Sequence, residues 1–226
     1  MAHPYSEDQL VEQPAITLFE ELGWKTENAL DEIFGPLGTL QRETKGDVVL
    51  VVRLREAMQK LNPSIPKEAI QAAVDELIRD RSGMSLEGAN REIYGLLKDG
   101  IRVSLPDLEK GGQKTERVLV IDWQNPEKND FLLVSQFSVT GPLYTCRPDL
   151  IGFINGLPLV VVELKKPGVP ARNAFDDNIT HYKEQIPALF RYNALIICSN
   201  GIDSRVGSVT ADWERFFEWK RVERED

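Results

Sequence analysis

The sequence predicts an α/β protein in which a mixed central β-sheet is flanked by helices and preceded by a mainly helical N-terminal portion. Three observations carry this. Apolar residues recur at helical spacing up to about residue 100 and in strand-sized runs beyond it. Those runs are separated by turn chemistry, at Pro106-Asp107, Gly111-Gly112, Asn125-Pro126, Gly141-Pro142 and Asn155-Gly156. After them the chain reads strand, helix, strand, which gives a sheet of mixed direction.

Taken in order, residues 7–23 form a helix, with Leu10, Ile16, Phe19 and Leu22 near helical spacing and Gly23 closing it. Residues 31–46 are loop-like. Residues 47–61 are helical, with Val48, Val51, Val52, Leu54, Met58 and Leu61 as apolar positions, and stop before Pro63 because a residue preceding proline avoids the helical region. Pro66 belongs to the first turn of the next helix. There Ile70, Ala73, Val74, Leu77 and Ile78 make one apolar face that ends near Gly83. Residues 86–98 form another helix, stopped at Asp99-Gly100.

Strands are predicted at Ile101–Leu105, Arg117–Trp123, Phe131–Val139, Asp149–Asn155 and Leu159–Lys165. A helix over 172–186, a buried strand Ala194–Ser199 and an aromatic-rich helix Asp212–Lys220 follow. The division is therefore a mainly helical 1–100, a sheet-bearing core at 101–220 and a charged tail, RVERED, at 221–226.

Composition narrows the class. No apolar run approaches the roughly 18–20 residues that span a bilayer, and the polar start MAHPYSEDQLVEQ is not a secretory signal. Cys146 and Cys198 lie in apolar contexts without a CxxC partner and read as buried free thiols of a cytoplasmic protein. With His3 and His181 far apart, they offer no zinc site. The net charge of -9 does not advertise the basic face of a free-standing nucleic-acid binder. If the chain acts on DNA, other parts of an assembly supply the phosphate affinity.

The chemistry concentrates in Arg147–Pro167, RPDLIGFINGLPLVVVELKKP. Along its second strand Leu159, Val161, Glu163 and Lys165 share one face; Val160, Val162 and Leu164 share the other. Both faces are apolar before Glu163, as in a central covered strand, so a carboxylate and an ammonium stand at the end of a core strand. If the hairpin pairs Ile154 with Pro158, Asp149 comes opposite Glu163. A two-residue Asn155-Gly156 loop shifts the register by one and sends the two carboxylates to opposite faces, unless a bulge compensates. In the first geometry Asp149 and Glu163, with the backbone carbonyl of Leu164, form a hard-oxygen cradle suited to Mg²⁺, and Lys165 faces phosphate or water. A salt bridge of Lys165 with Glu163 or Asp149 on a solvated strand end uses the same residues.

Pro148-Asp149 followed by Glu163-Leu164-Lys165 resembles the PD-(D/E)xK nuclease superfamily. Further blocks resemble the N-terminal part of type I restriction R subunits: NPSIPKEAI at 62–70, NDFLLVSQF at 129–137, NGLPLVVVELKKP at 155–167, IPALFRYNALIICSNG at 186–201 and GSVTADWERF at 207–216. The resemblance implies a restriction-endonuclease-like core and a type I site-specific deoxyribonuclease: a Mg²⁺-dependent nuclease domain spanning 1–226, cutting double-stranded DNA. It implies fusion to an ATP-driven motor and assembly with methylation and specificity subunits. The chain has no G-x-x-x-x-G-K-[ST] loop, so ATP would act only through that absent motor.

Relatives add Q-x-x-x-Y on the helix after the lysine strand. Here Asn178 and Tyr182 occupy those positions, with Asn one methylene shorter than Gln, and share a helix face. The resemblance implies contacts to DNA or the metal site for them, although Tyr182 also reads as a packed core tyrosine; Arg147, Lys166 and Lys183 flank the site, either as phosphate contacts or as solvated surface charges. It implies an upstream glutamate ligand, for which Glu12 is the candidate and Glu20, Glu21 and Glu92 compete. Trp213, Phe216, Phe217 and Trp219 form a hydrophobic seam, either core or a docking face for the motor. Two other readings use the same fold. A catalytically silent module docking the motor onto the methylation core would lack one of Asp149, Glu163 and Lys165, and an independent nuclease would carry a basic DNA face.

Overall fold

In the computed structural model, which describes residues 8–106 and 111–219, the apolar runs flanking Asn155-Gly156 lie at the centre of a seven-stranded mixed sheet. A π-helical turn, Asp8–Glu12, leads into α1 (Gln13–Glu21), then β1 (Lys25–Asn28), α2 (Val51–Leu61), α3 (Lys67–Ile78) and α4 (Leu86–Asp99). The hairpin β2 (Ile101–Pro106) and β3 (Gln113–Val118) stands apart as its own two-stranded sheet. Then come β4 (Phe131–Ser135), the short pair β5 (Val139–Thr140) and β6 (Thr145–Cys146), β7 (Leu150–Ile154) and β8 (Leu157–Leu164). A second π-helical turn, Ala174–Ile179, runs into α5 (Thr180–Gln185), followed by α6 (Pro187–Arg191), β9 (Leu195–Ser199), β10 (Ser204–Gly207) and β11 (Phe217–Glu218).

The central sheet has the order β1-β4-β7-β8-β9-β10-β11. β1 and β4 pair in parallel, as do β8 and β9; every other pair is antiparallel. All eight residues of β8 are buried, as a strand covered on both faces must be. Each such Val or Leu contributes about 1.5–3 kcal/mol by leaving water. One cluster of buried apolar side chains runs from Val11 to Phe216 and includes residues of the helical and the sheet-bearing portions.

Two of the expected strands and one expected helix need correction, each with a local cause. The strand expected at 117–123 is β3, which ends at Val118. Beyond it side-chain amides replace a ladder: Asn62 donates to Leu119 O and accepts from Leu119 N–H, both at 2.8 Å. Asn155 Nδ2 donates to Val120 O, and Asn129 accepts from Asp122 N–H. The strand expected at 131–139 breaks at Gln136, whose backbone is left-handed (φ 59°). The helix expected at 212–220 is a 3₁₀ turn, Trp213–Arg215, followed by β11. Phe216 is buried there against Phe175 while Phe217 is 75% exposed, which is the alternation of a strand edge. The aromatic seam is thus divided, with Phe216 in the core and Phe217 and Trp219 outside it. β1, a polar edge strand, and β10 carry no sequence periodicity and were not anticipated. Pro66 caps α3 from outside its first turn, and α2 begins at Val51 rather than at 47. Cys146 and Cys198 are free and buried, and burial pushes the Cys198 thiol up to about 12. The tail 221–226, Asp107 and His3 lie outside the described residues. No helix among the described residues is long and apolar enough to cross a membrane.

Candidate functional site

The site is made by a compensated hairpin. Asn155 and Gly156 both take left-handed backbone (φ 51° and 80°), the type I′ turn that joins twisted strands tightly. Ile154 therefore pairs with Leu157 and Phe153 with Pro158, which is the two-residue loop register. The register then shifts: Gly152 pairs with Val160, Ile151 with Val161 and Leu150 with Val162. Leu159 is the extra, bulged residue. It follows Pro158, which has no N–H to give a ladder, and its carbonyl accepts instead from Ala194 N–H at 2.8 Å. Gly152 lets the strand pass Trp24, since a Cβ there would sit 2.9 Å from Val160 Cβ and 3.1 Å from the indole. One further step along this register places Asp149 opposite Glu163.

Asp149 and Glu163 differ in environment. Asp149 is half-buried, and its Oδ2 accepts from Leu164 N–H at 2.6 Å. Glu163 is 2% exposed and its Oε2 has no hydrogen-bond partner among the described residues. Burial, and next the neighbouring Asp149 charge, hold its carboxyl well above the usual carboxylate range. Lys165 Nζ stands 3.8 Å from Glu163 Oε1, which lowers that cost without removing it.

The helix after the lysine strand closes the arrangement. Lys165 Nζ donates to Asn178 Oδ1 at 2.8 Å, and Asn178 Nδ2 donates to Tyr182 Oη at 3.2 Å. Tyr182 Oη lies 3.4 Å from Glu163 Oε1 and 3.5 Å from the carbonyl of Arg147, with one proton for the two acceptors. Asn178 is the penultimate residue of the π-helical turn Ala174–Ile179, and such turns are frequent at functional sites. Tyr182 is buried, and its phenol is raised above its ordinary value by burial and then by Glu163.

The structure brings together Asp149, Glu163, Leu164, Lys165, Asn178 and Tyr182. Arg147 and Lys166 lie exposed beside them. Lys183 turns to the Phe175 ring, 5.3 Å from its centroid, and burial lowers its ammonium pKa. Glu12 is 8% exposed and its Oε1 accepts from Gln136 Nε2 at 3.2 Å. Its competitors are engaged elsewhere or exposed: Glu20 accepts from Thr26, Glu92 from Arg81, and Glu21 faces solvent. No three His, Cys, Asp or Glu side chains converge as a metal-holding group among the described residues, so Glu12 does not join Asp149 and Glu163 in one. Sequence reasoning missed Gln136, whose N–H donates to Asp149 O at 3.3 Å. The signal was a lone amide inside the apolar run FLLVSQF.

The family model described as type I restriction enzyme R protein N terminus matches residues 4–215. Over 220 residues the chain is 38% identical to a type I restriction enzyme HindI endonuclease subunit of Haemophilus influenzae, covering 96% of this chain and 20% of that protein. Over 226 residues it is 32% identical to a putative type I restriction enzyme MjaIXP endonuclease subunit of Methanocaldococcus jannaschii, covering 98% of this chain and 21% of that one. The chain thus spans about one fifth of the length of these two relatives.

Proposed function

The chain belongs to the family of type I restriction enzyme R protein N termini, and on that premise we propose that it is a Mg²⁺-dependent endonuclease domain of the PD-(D/E)xK type. Its substrate is double-stranded DNA, cut in the restriction of foreign DNA. The observation that carries this is the buried Oε2 of Glu163 beside Asp149, which has no hydrogen-bond partner among the described residues. A carboxylate oxygen stripped of water and of donors is costly unless a cation meets it.

The donor set fits Mg²⁺. Asp149, Glu163 and the Leu164 carbonyl are hard oxygens, and Mg²⁺ uses one or two carboxylates while keeping water and substrate phosphate in its other positions. When bound, the ion supplies Lewis-acid neutralisation of the phosphate and of the charge that develops on it. The chain's own residues do the rest. Asp149 is held by Leu164 N–H, so its carboxylate does not wander. Lys165, fixed by Asn178, presents a positive charge where negative charge grows in the transition state. Tyr182 keeps Glu163 Oε1 turned inward. Arg147 and Lys166 stand where a phosphate backbone would pass. With a net charge of -9, most DNA affinity comes from elsewhere: from motor domains of the same polypeptide and from methylation and specificity subunits, in the cytoplasm.

The test uses the complete subunit in its assembled restriction complex. Asp149→Asn and Lys165→Met are each expected to lower plasmid cleavage by about 10³-fold while leaving ATP hydrolysis unchanged. Cleavage within threefold of the parent in either variant would sink the reading.

A further inference from the structure

Gln136 is where the expected strand 131–139 fails, and it fails beside the site. β4 pairs Ser135 with Leu150, and β7 pairs Leu150 with Val162. One step further, Gln136, Asp149 and Glu163 form a row across three adjacent strands. At that step the backbone of Gln136 turns left-handed (φ 59°), a conformation few residues other than glycine adopt. It persists because its surroundings hold it. The next residue, Phe137, is fully buried edge-on to Phe153, and the Arg42 guanidinium lies 3.9 Å over its ring. Arg42 also donates to Ser138 O at 2.9 Å. The turn gives Gln136 two tasks at once: its N–H reaches the Asp149 carbonyl at 3.3 Å, and its Nε2 reaches Glu12 Oε1 at 3.2 Å.

We propose that Gln136 is a positioning residue of the nuclease site, bracing the Asp149 backbone with its N–H and holding Glu12 beside the row with its carboxamide. The proposal rests on the nuclease reading above. Glu12, 8% exposed and with its Oε1 held by a neutral amide, acts as an outer carboxylate that adds negative potential at the cradle without ligating the cation itself. A neutral donor is the residue type needed there, because a carboxylate at 136 would crowd Glu12 and Asp149 with a third negative charge.

Two variants separate positioning from folding. Gln136→Gly accepts the left-handed backbone and removes the carboxamide; Gln136→Asn also tolerates that backbone but is one methylene too short for Glu12. In the 226-residue chain both are expected to melt within about 3 °C of the parent and to bind Mn²⁺ about tenfold more weakly, as outer-layer changes do. Adding Glu12→Gln to Gln136→Gly should weaken binding further, since it removes the outer charge that Gln136→Gly leaves in place. Asp149→Ala is run alongside. If it abolishes Mn²⁺ binding while both Gln136 variants bind within twofold of the parent, the positioning role is wrong and the nuclease reading stands. If Asp149→Ala leaves binding unchanged, the nuclease reading itself fails. Weakened Mn²⁺ binding accompanied by a melting loss above about 8 °C in both variants would overturn the proposal in favour of a purely structural Gln136.

Discussion

Replacing Glu163 by glutamine is expected to stabilise the cation-free chain while eliminating cleavage. At neutral pH the folded protein must either hold a charge at a 2% exposed position, with one oxygen unpartnered, or take up a proton. Glutamine avoids both, so Glu163→Gln should gain about 2–3 kcal/mol, a rise of about 5–10 °C in Tm for a chain of this size. The pH dependence has a defined sign. The carboxyl of Glu163 is raised above its ordinary value, chiefly by burial, so its folded form favours the proton. Its contribution to stability is present below the ordinary carboxylate range and lost as pH rises through the raised folded value. The advantage of the variant should therefore vanish in acid and grow through that interval, as read by denaturant unfolding at several pH values. Cleavage by the assembled enzyme should fall by about 10³-fold. A variant less stable than the parent at pH 8 would mean that Glu163 is satisfied in the free protein and is not held in readiness for a cation.

Arg42→Ala is expected to cost about 3–5 kcal/mol, because it leaves a buried carboxylate without its partner. The Arg42 side chain is wholly buried and pairs with Glu32 at 2.5 Å, itself 3% exposed. It also donates to the carbonyls of Asp47 and Ser138 and stacks on Phe137. One guanidinium thus ties the 31–47 loop to the turn that follows Gln136. The double variant Arg42→Met, Glu32→Leu removes the orphaned charge but leaves those carbonyls unmet, so it should recover part of the loss and not all of it. Urea unfolding of the parent, the single and the double variant checks this ordering. A single variant within 1 kcal/mol of the parent would show that the loop is not held this way.

How far the fold was legible depended on where the restraint lay. β8 and β9 were readable because an uninterrupted apolar run has few alternatives to a covered strand. α3 and α4 were readable from helical spacing. β1, with the sequence Lys-Thr-Glu-Asn, has no pattern of its own and is a strand only because β4 offers it a parallel partner. Residues 119–123 look like a strand because Leu119, Val120 and Ile121 form an apolar run. What they lack is a neighbouring backbone, and distant amides of Asn62 and Asn155 take its place. The last segment is helical by composition, yet Phe216 packs on Phe175 and the following residues pair with β10, so tertiary contact overrode local preference.

The candidate site was legible to a different degree. The residue types at 149, 163 and 165 drew attention to one hairpin, but the register that unites them could not be chosen from sequence. Turn chemistry favoured the shifted pairing, and the shift is real at Phe153 and Pro158 before the Leu159 bulge reverses it. Asn178 raised a question of reach, and its side chain meets Lys165 at 2.8 Å from within a π-helical turn that no spacing rule foretells. Gln136 left only a lone amide in an apolar run as its signal, because its placement comes from a left-handed backbone.

On the proposed nuclease reading, Asp149 and Glu163 form one cation cradle at the end of the central hairpin. Calorimetric titration of Mn²⁺ into the 226-residue chain and into its Asp149→Ala variant tests this most directly. Binding near one ion per chain is expected in the parent, and at least tenfold weaker binding in the variant. Equal binding by the two proteins would take the cation away from Asp149 and rule out the cradle.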